Sequence, residues 1–130
     1  MDHLDRLSIL KNRAPEIADR IELISSEELT ILDELDCAVF FVMAYWSGPS
    51  VQMFSELGSV LSSVDPDNSI RLIVVDIDEI GHLVRNPPFC DVAMGGNGET
   101  FWIEHGQVIS NSGGGLNFEC IRLNTEQLLE

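Results

Sequence analysis

The residues best placed for chemistry sit in one short turn, Trp46-Ser47-Gly48-Pro49-Ser50. Two serines there flank a Gly-Pro pair. A serine nucleophile needs a base, usually a histidine, oriented by a third group. His82 and His105 are the histidines available for that role, and nothing in the sequence ties either to the turn. Ser50 is instead expected near the N-cap of a following helix. Cys37, Cys90 and Cys120 are odd in number and form no Cys-x-x-Cys pair, which argues against a disulfide framework. They are expected to be reduced, with one or more in the core. Cys90, or Cys37, is the alternative centre for a thiol-dependent enzyme. Cys90 follows Pro87-Pro88-Phe89, and Arg85 is the nearest basic residue in sequence that could lower its pKa. Asp76 and Asp78 could hold a metal or act as acid and base. The simpler reading is a pair of exposed carboxylates that cap the next segment. His3, His82 and His105 are scattered, so no metal cluster is expected. Gly95-Gly96-Asn97-Gly98 lacks the Lys-Ser or Lys-Thr of a phosphate-binding loop. No catalytic residue, cofactor or metal is therefore assigned.

The elements around the turn are well marked. Ala38 to Tyr45 is a continuous apolar run with the length of a buried strand. After the turn, Val51, Phe54, Leu57, Leu61 and Val64 recur on one helical face. Gly58 inside that helix marks a kink or a close packing contact. The unit is thus a buried strand, an exposed turn and a helix whose start offers free N–H groups. Upstream, Leu4, Leu7 and Leu10 predict a short helix, with a break at Pro15 and a second short helix through Ile17. Arg20 to Ile24 reads as an edge strand. Ser25 and Glu28 form a capping box for a helix over Ser26 to Leu35. Downstream, Asp65 to Asn68 is a loop and Ile70 to Ile77 a second buried strand, parallel to the first. Ile80 to Val84 reads as helical turns that end at Asn86-Pro87-Pro88, and Phe89 to Gly98 has no regular pattern. Thr100 to Glu104 and Gln107 to Asn111 form a hairpin around His105-Gly106. Leu116 to Leu129 reads as a terminal helix packing through Cys120, Leu123 and Leu128 or Leu129.

This arrangement resembles the thioredoxin superfamily, which carries Trp-Cys-Gly-Pro-Cys between its central strand and long helix. Trp46, Gly48 and Pro49 match that motif; Ser47 and Ser50 replace both cysteines. The resemblance covers about residues 20 to 130, with Val74-Val75-Asp76-Ile77-Asp78 at the expected distance. It implies an α/β fold, thioredoxin-like, with a central mixed sheet of four to five strands and helices on both faces. The whole chain is one such domain, with residues 1 to 19 as a peripheral helical segment. Disulfide exchange needs one thiolate to attack and a second thiol to resolve the mixed disulfide. A serine hydroxyl is barely ionised at neutral pH and does not enter sulfur exchange. Other parts of the family's machinery are missing too. Phe41 and Val42 stand where the family buries an aspartate. Gly98-Glu99-Thr100 stands where it places a cis-proline. Ile73 to Val75 offer no match to its buried lysine. An engineered Cys-to-Ser variant would keep the acid and the proline. The resemblance thus implies a natural, redox-inactive relative.

Composition limits the remaining choices. The 130 residues suffice for one domain with a real core, and 45% hydrophobic with 22% charged residues is a globular composition. The acidic start and the lack of any run of about 18 apolar residues point to a cytoplasmic chain without a signal peptide or membrane span. The net charge of -15 argues against nucleic acid and favours a basic protein partner. No Lys or Arg lies between Arg20 and Arg71, whereas nine Asp or Glu do. The expected function is a non-catalytic protein-binding module. Its surface comprises Trp46, Ser47, Gly48, Pro49, Ser50, Glu99 and Thr100, with Trp46 as anchor. The concrete versions are an assembly chaperone for a larger enzyme and an inhibitor or immunity protein for a basic toxin. A subunit of a homodimer or larger complex with a purely structural role is a further reading.

Overall fold

The computed structural model describes residues 2–80, 89, 92, 94–114 and 117–130. A five-stranded sheet runs through its centre in the order β1-β3-β2-β4-β5. The strands are β1 (Ile21–Leu23), β2 (Cys37–Met43), β3 (Arg71–Asp76), β4 (Thr100–Glu104) and β5 (Gln107–Asn111). β1 and β2 both pair parallel to β3; β2–β4 and β4–β5 are antiparallel. The sheet is therefore mixed, and β2 lies in the middle of it. That position explains its composition. A strand covered on both faces cannot alternate apolar and polar residues.

Alternate side chains of β2 enter two separate cores. Val39, Phe41 and Met43 join one with α1 (His3–Arg13), α2 (Gly48–Val64) and α3 (Phe118–Leu128). Ala38, Phe40 and Val42 join the other with Leu29, Leu32, Leu35, Phe89 and Val92. The segment Ser26–Glu34 that covers the second face is a 3-10 helix rather than an α-helix. Its buried leucines, Leu29 and Leu32, lie three residues apart, with Leu35 three further on. A helix of three residues per turn stacks that spacing in one line. The capping interaction is present: the Glu28 carboxylate accepts from the N–H of Ser25 at 3.1 Å. The second N-terminal helix is likewise a 3-10 segment, Pro15–Arg20. The expected helical turns over Ile80 to Val84 fall mostly outside the described residues.

α2 is held at both ends. The largely covered Arg20 side chain and the buried Asp65 pair at its C-terminus. The Arg20 guanidinium also donates to the carbonyls of Asp65 and Ile70, each at 2.8 Å. The Asp65 carboxylate accepts the N–H groups of Ser69 and Ile70. Along its length, Gly58 marks close packing. A Cβ there would lie 2.7 Å from the Ala14 Cβ and 2.7 Å from Glu16 Oε1. Gly58→Ala is therefore expected to destabilise the fold by about 1–2 kcal/mol, since overpacking outweighs the gain in helix propensity. Urea unfolding checks this; a stabilised variant would show that the N-terminal segment yields.

The hairpin turn has positive φ at His105 (52°) and Gly106 (73°), as a two-residue turn between right-twisted strands requires. Gly106 donates to the Leu35 carbonyl at 2.7 Å, and its missing Cβ lets it approach the Asp33 carbonyl. The terminal helix packs through Ile121, Thr125 and Leu128. The sequence pointed to Leu123, which is exposed, and to Leu128 or Leu129, of which Leu128 is the buried one. The 121/125/128 spacing follows the helical repeat on one face, and Leu123 falls off it.

Candidate functional site

The turn after β2 is the point where the sheet's central strand ends and α2 begins. Pro49 sits in the first helical turn, where its missing N–H costs nothing. Ser47 occupies the N-cap position, but its side chain does not cap. Its hydroxyl instead donates to the Gly96 carbonyl at 2.5 Å, joining the turn to the 95–99 loop. Ser50 is fully buried. Its hydroxyl accepts the Ala44 N–H at 2.9 Å and donates to Met43 Sδ at 3.4 Å. This corrects the expected N-cap role: Ser50 satisfies the end of β2, not the start of α2. Trp46, by contrast, is 67% exposed. It rests on Gly96, whose Cβ, if present, would lie 2.6 Å from the indole. The contact is thus with the 95–99 loop.

Glu99 and Thr100 support this rim from beneath. Both are buried, so neither side chain can touch a partner directly. The Glu99 carbonyl accepts from Val42, which fastens the loop to β2. Its carboxylate accepts the N–H groups of Gly96 (3.3 Å) and Asn97 (2.9 Å). The Thr100 hydroxyl donates to the Gly98 carbonyl at 2.8 Å. The surface-forming members of the predicted set are therefore Trp46, Gly48 and Pro49, with Ser47 half-buried between them.

Burial pushes the Glu99 carboxyl above its ordinary range, against the lowering effect of its bonds to Asn97 and Gly96. The folded state thus holds this proton more tightly than the unfolded chain. The stability contributed by protonation is complete below the unfolded pKa, about 4.3, and is lost as pH rises through the higher folded value. Between wild type and Glu99→Gln, the difference in unfolding free energy should shift in favour of wild type as pH falls from 7 towards 4. Denaturant titrations at several pH values test this; a constant difference would refute it.

The other candidate groups are elsewhere. Cys37 pairs with Glu104 across β2 and β4, and His105 adjoins it, so both lie at the opposite end of β2 from the turn. His105 is bonded to Asp36 at 2.6 Å. It cannot serve Ser47 or Ser50 as a base. Burial raises the thiols of Cys37 and Cys120; for Cys37, Asp65, Glu104 and Asp36 add to the effect. Both stay protonated at neutral pH. Cys90 and His82 lie outside the described residues. Asp76 is not the exposed carboxylate that the sequence suggested. It is buried and paired with Arg6 Nε at 3.1 Å. The sequence reading missed this pair, which brings α1 against the end of β3 next to the turn. The one available signal was a lone arginine between Leu4 and Leu7.

The parallel β1–β3–β2 unit, the antiparallel hairpin and the turn before α2 together define a thioredoxin-like α/β fold. Comparison with solved structures supports that assignment. Thioredoxin O2 of Arabidopsis thaliana aligns with a TM-score of 0.67 and 18% identity, over 85% of this chain and 96% of that one. Mitochondrial thioredoxin 3 of Saccharomyces cerevisiae aligns with a TM-score of 0.63 and 21% identity, over 82% and 94%. A chain from structural work on thiol resolution in yeast mitochondrial 1-Cys peroxiredoxin gives 0.64 and 22%, over 84% and 96%. No protein-family model matches the sequence, and no curated protein matches it. Among the described residues, no helix is long and apolar enough to cross a membrane.

Proposed function

We propose that this chain is a redox-inactive thioredoxin-fold protein that binds a protein partner through the rim at Trp46. The observation that carries this reading is the contrast within the turn. Both serine hydroxyls are engaged in internal hydrogen bonds, while the indole between them and the cleft beyond is 67% exposed. A large aromatic on a braced turn suits an interface anchor far better than a catalytic group. The net charge of -15 favours a basic partner, reached quickly through long-range attraction. Assembly chaperone and inhibitor or immunity protein are the two concrete forms of this role, both compatible with a cytoplasmic protein.

The test is capture of partners from the native lysate at low and moderate salt, with wild type and Trp46→Ala. Trp46→Ala is expected to weaken capture by about 2 kcal/mol, roughly 30-fold in affinity, while stability changes by less than about 0.5 kcal/mol. A single basic partner lost at higher salt supports the inhibitor form; a large oligomeric enzyme supports the chaperone form. Capture unaffected by the substitution, or measurable disulfide reductase activity, would overturn the proposal.

A further inference from the structure

Next to Trp46 lies a cleft of about 240 Å3 lined by Arg6, Tyr45, Trp46, Asp76 and Asp78. We propose that it receives an arginine side chain of the partner protein, stacked on Trp46 and paired with Asp78. This rests on the partner-binding reading of the Trp46 rim and specifies what that rim recognises. The first argument is charge. Arg6 is already paired with Asp76 at 3.1 Å and Glu79 at 3.4 Å. Asp78 is exposed, and among the described residues no basic side chain pairs with it. Among the described residues, the cleft thus holds two carboxylates, Asp76 and Asp78, and one guanidinium that Asp76 and Glu79 already engage. The second argument is the wall. An exposed indole is the best aromatic platform for a cation, and its plane suits a planar guanidinium better than an ammonium.

The third concerns Tyr45, which lines the cleft without adding charge to it. The Tyr45 hydroxyl is shielded from solvent and has no hydrogen-bond partner among the described residues. Burial, then the nearby Asp76, pushes the Tyr45 phenol well above its ordinary range, so it stays neutral and leaves the carboxylates to set the charge of the cleft. The position of Asp78 is fixed as well. Its N–H donates to the Asp76 carboxylate at 2.9 Å, which sets the short 3-10 segment Ile77–Glu79 against the end of β3. A volume of this size takes one long side chain, not a length of peptide.

The test uses NMR titration with a blocked Gly-Gly-Arg-Gly-Gly peptide and its citrulline counterpart, which has the same shape without the charge. The chain has two indole N–H signals. That of Trp102 donates to Thr125 inside the core and serves as an internal reference. The Trp46 signal is expected to shift saturably with the arginine peptide, and the Trp102 signal to stay. Asp78→Asn should weaken binding about threefold, the scale of one exposed ion pair. Asp33→Asn removes the same charge at the other end of the sheet and should leave the affinity unchanged. Equal effects from the two substitutions, or equal binding of the citrulline peptide, would leave only the diffuse field of an acidic surface and overturn the proposal. In partner capture, loss with Trp46→Ala but not with Asp78→Asn sinks the arginine cleft alone. Capture that survives Trp46→Ala sinks the rim reading beneath it.

Discussion

Arg20→Ala should lower the unfolding free energy by about 3–5 kcal/mol, because it leaves a buried carboxylate without its counter-charge. The Arg20 side chain is 8% exposed and that of Asp65 2%. The loss extends beyond one ion pair. The guanidinium also serves the carbonyls of Leu61, Asp65 and Ile70. Removing it frees acceptors at the end of α2 and at the start of β3 together. For a domain stable by about 5–15 kcal/mol, that is a large share of the total. Adding Asp65→Asn should recover part of the loss, since the stranded charge disappears with it. Urea unfolding of the two single variants and the double variant measures this coupling. A loss below about 1 kcal/mol for Arg20→Ala would mean that water replaces the guanidinium freely.

Trp102→Ala should cost a similar amount, about 3–5 kcal/mol, through the cavity it opens. Trp102 is fully buried and lies in the core between β4 and the helices. Its indole N–H donates to the Thr125 hydroxyl of α3 at 3.1 Å, the polar link between β4 and the terminal helix. Thr125→Val tests that link separately. It keeps the shape and strands the donor, at a cost of about 1–3 kcal/mol. The two effects should be non-additive, because Trp102→Ala removes the donor that Thr125→Val leaves unpaired. Additive costs would show that the hydrogen bond contributes nothing of its own. Trp102 lies on β4 and Thr125 holds it from α3, and β4 begins at Thr100 beneath the rim, so both substitutions should also weaken partner capture through loss of order there.

Much of the fold could be read from the sequence because its strongest signals are local. The hairpin limits, Thr100–Glu104 and Gln107–Asn111, followed from alternation around a His-Gly turn. The apolar run from Ala38 located the central strand because only a strand covered on both faces lacks polar residues. The type of the Ser26–Glu34 helix was not legible. Capping chemistry is the same for either helix, and only packing against β2 selects three residues per turn. The contacts within the site were hidden for a different reason. That Ser50 would face Ala44, Glu99 reach Gly96 and Arg6 meet Asp76 depends on chain segments far apart in sequence. Periodicity says nothing about such pairs. Exposure at the turn was legible for Trp46, and burial of Glu99 was not, since a charged residue beside a Gly-rich loop ordinarily faces water.

The strand order has a consequence for how this protein is made. Among the described residues, β2 pairs only with β3 and β4, both of which lie C-terminal to it. On a ribosome adding about 5–20 residues per second, Cys37–Met43 emerges seconds before Arg71–Asp76 and waits longer still for Thr100–Glu104. This strand, apolar at every position, therefore has no sheet neighbour until those segments follow it. β1 shares the delay, as its one neighbour is β3. The nascent chain can complete neither core until the hairpin has been translated, which makes the arrival of Thr100–Asn111 the step that commits it to its fold.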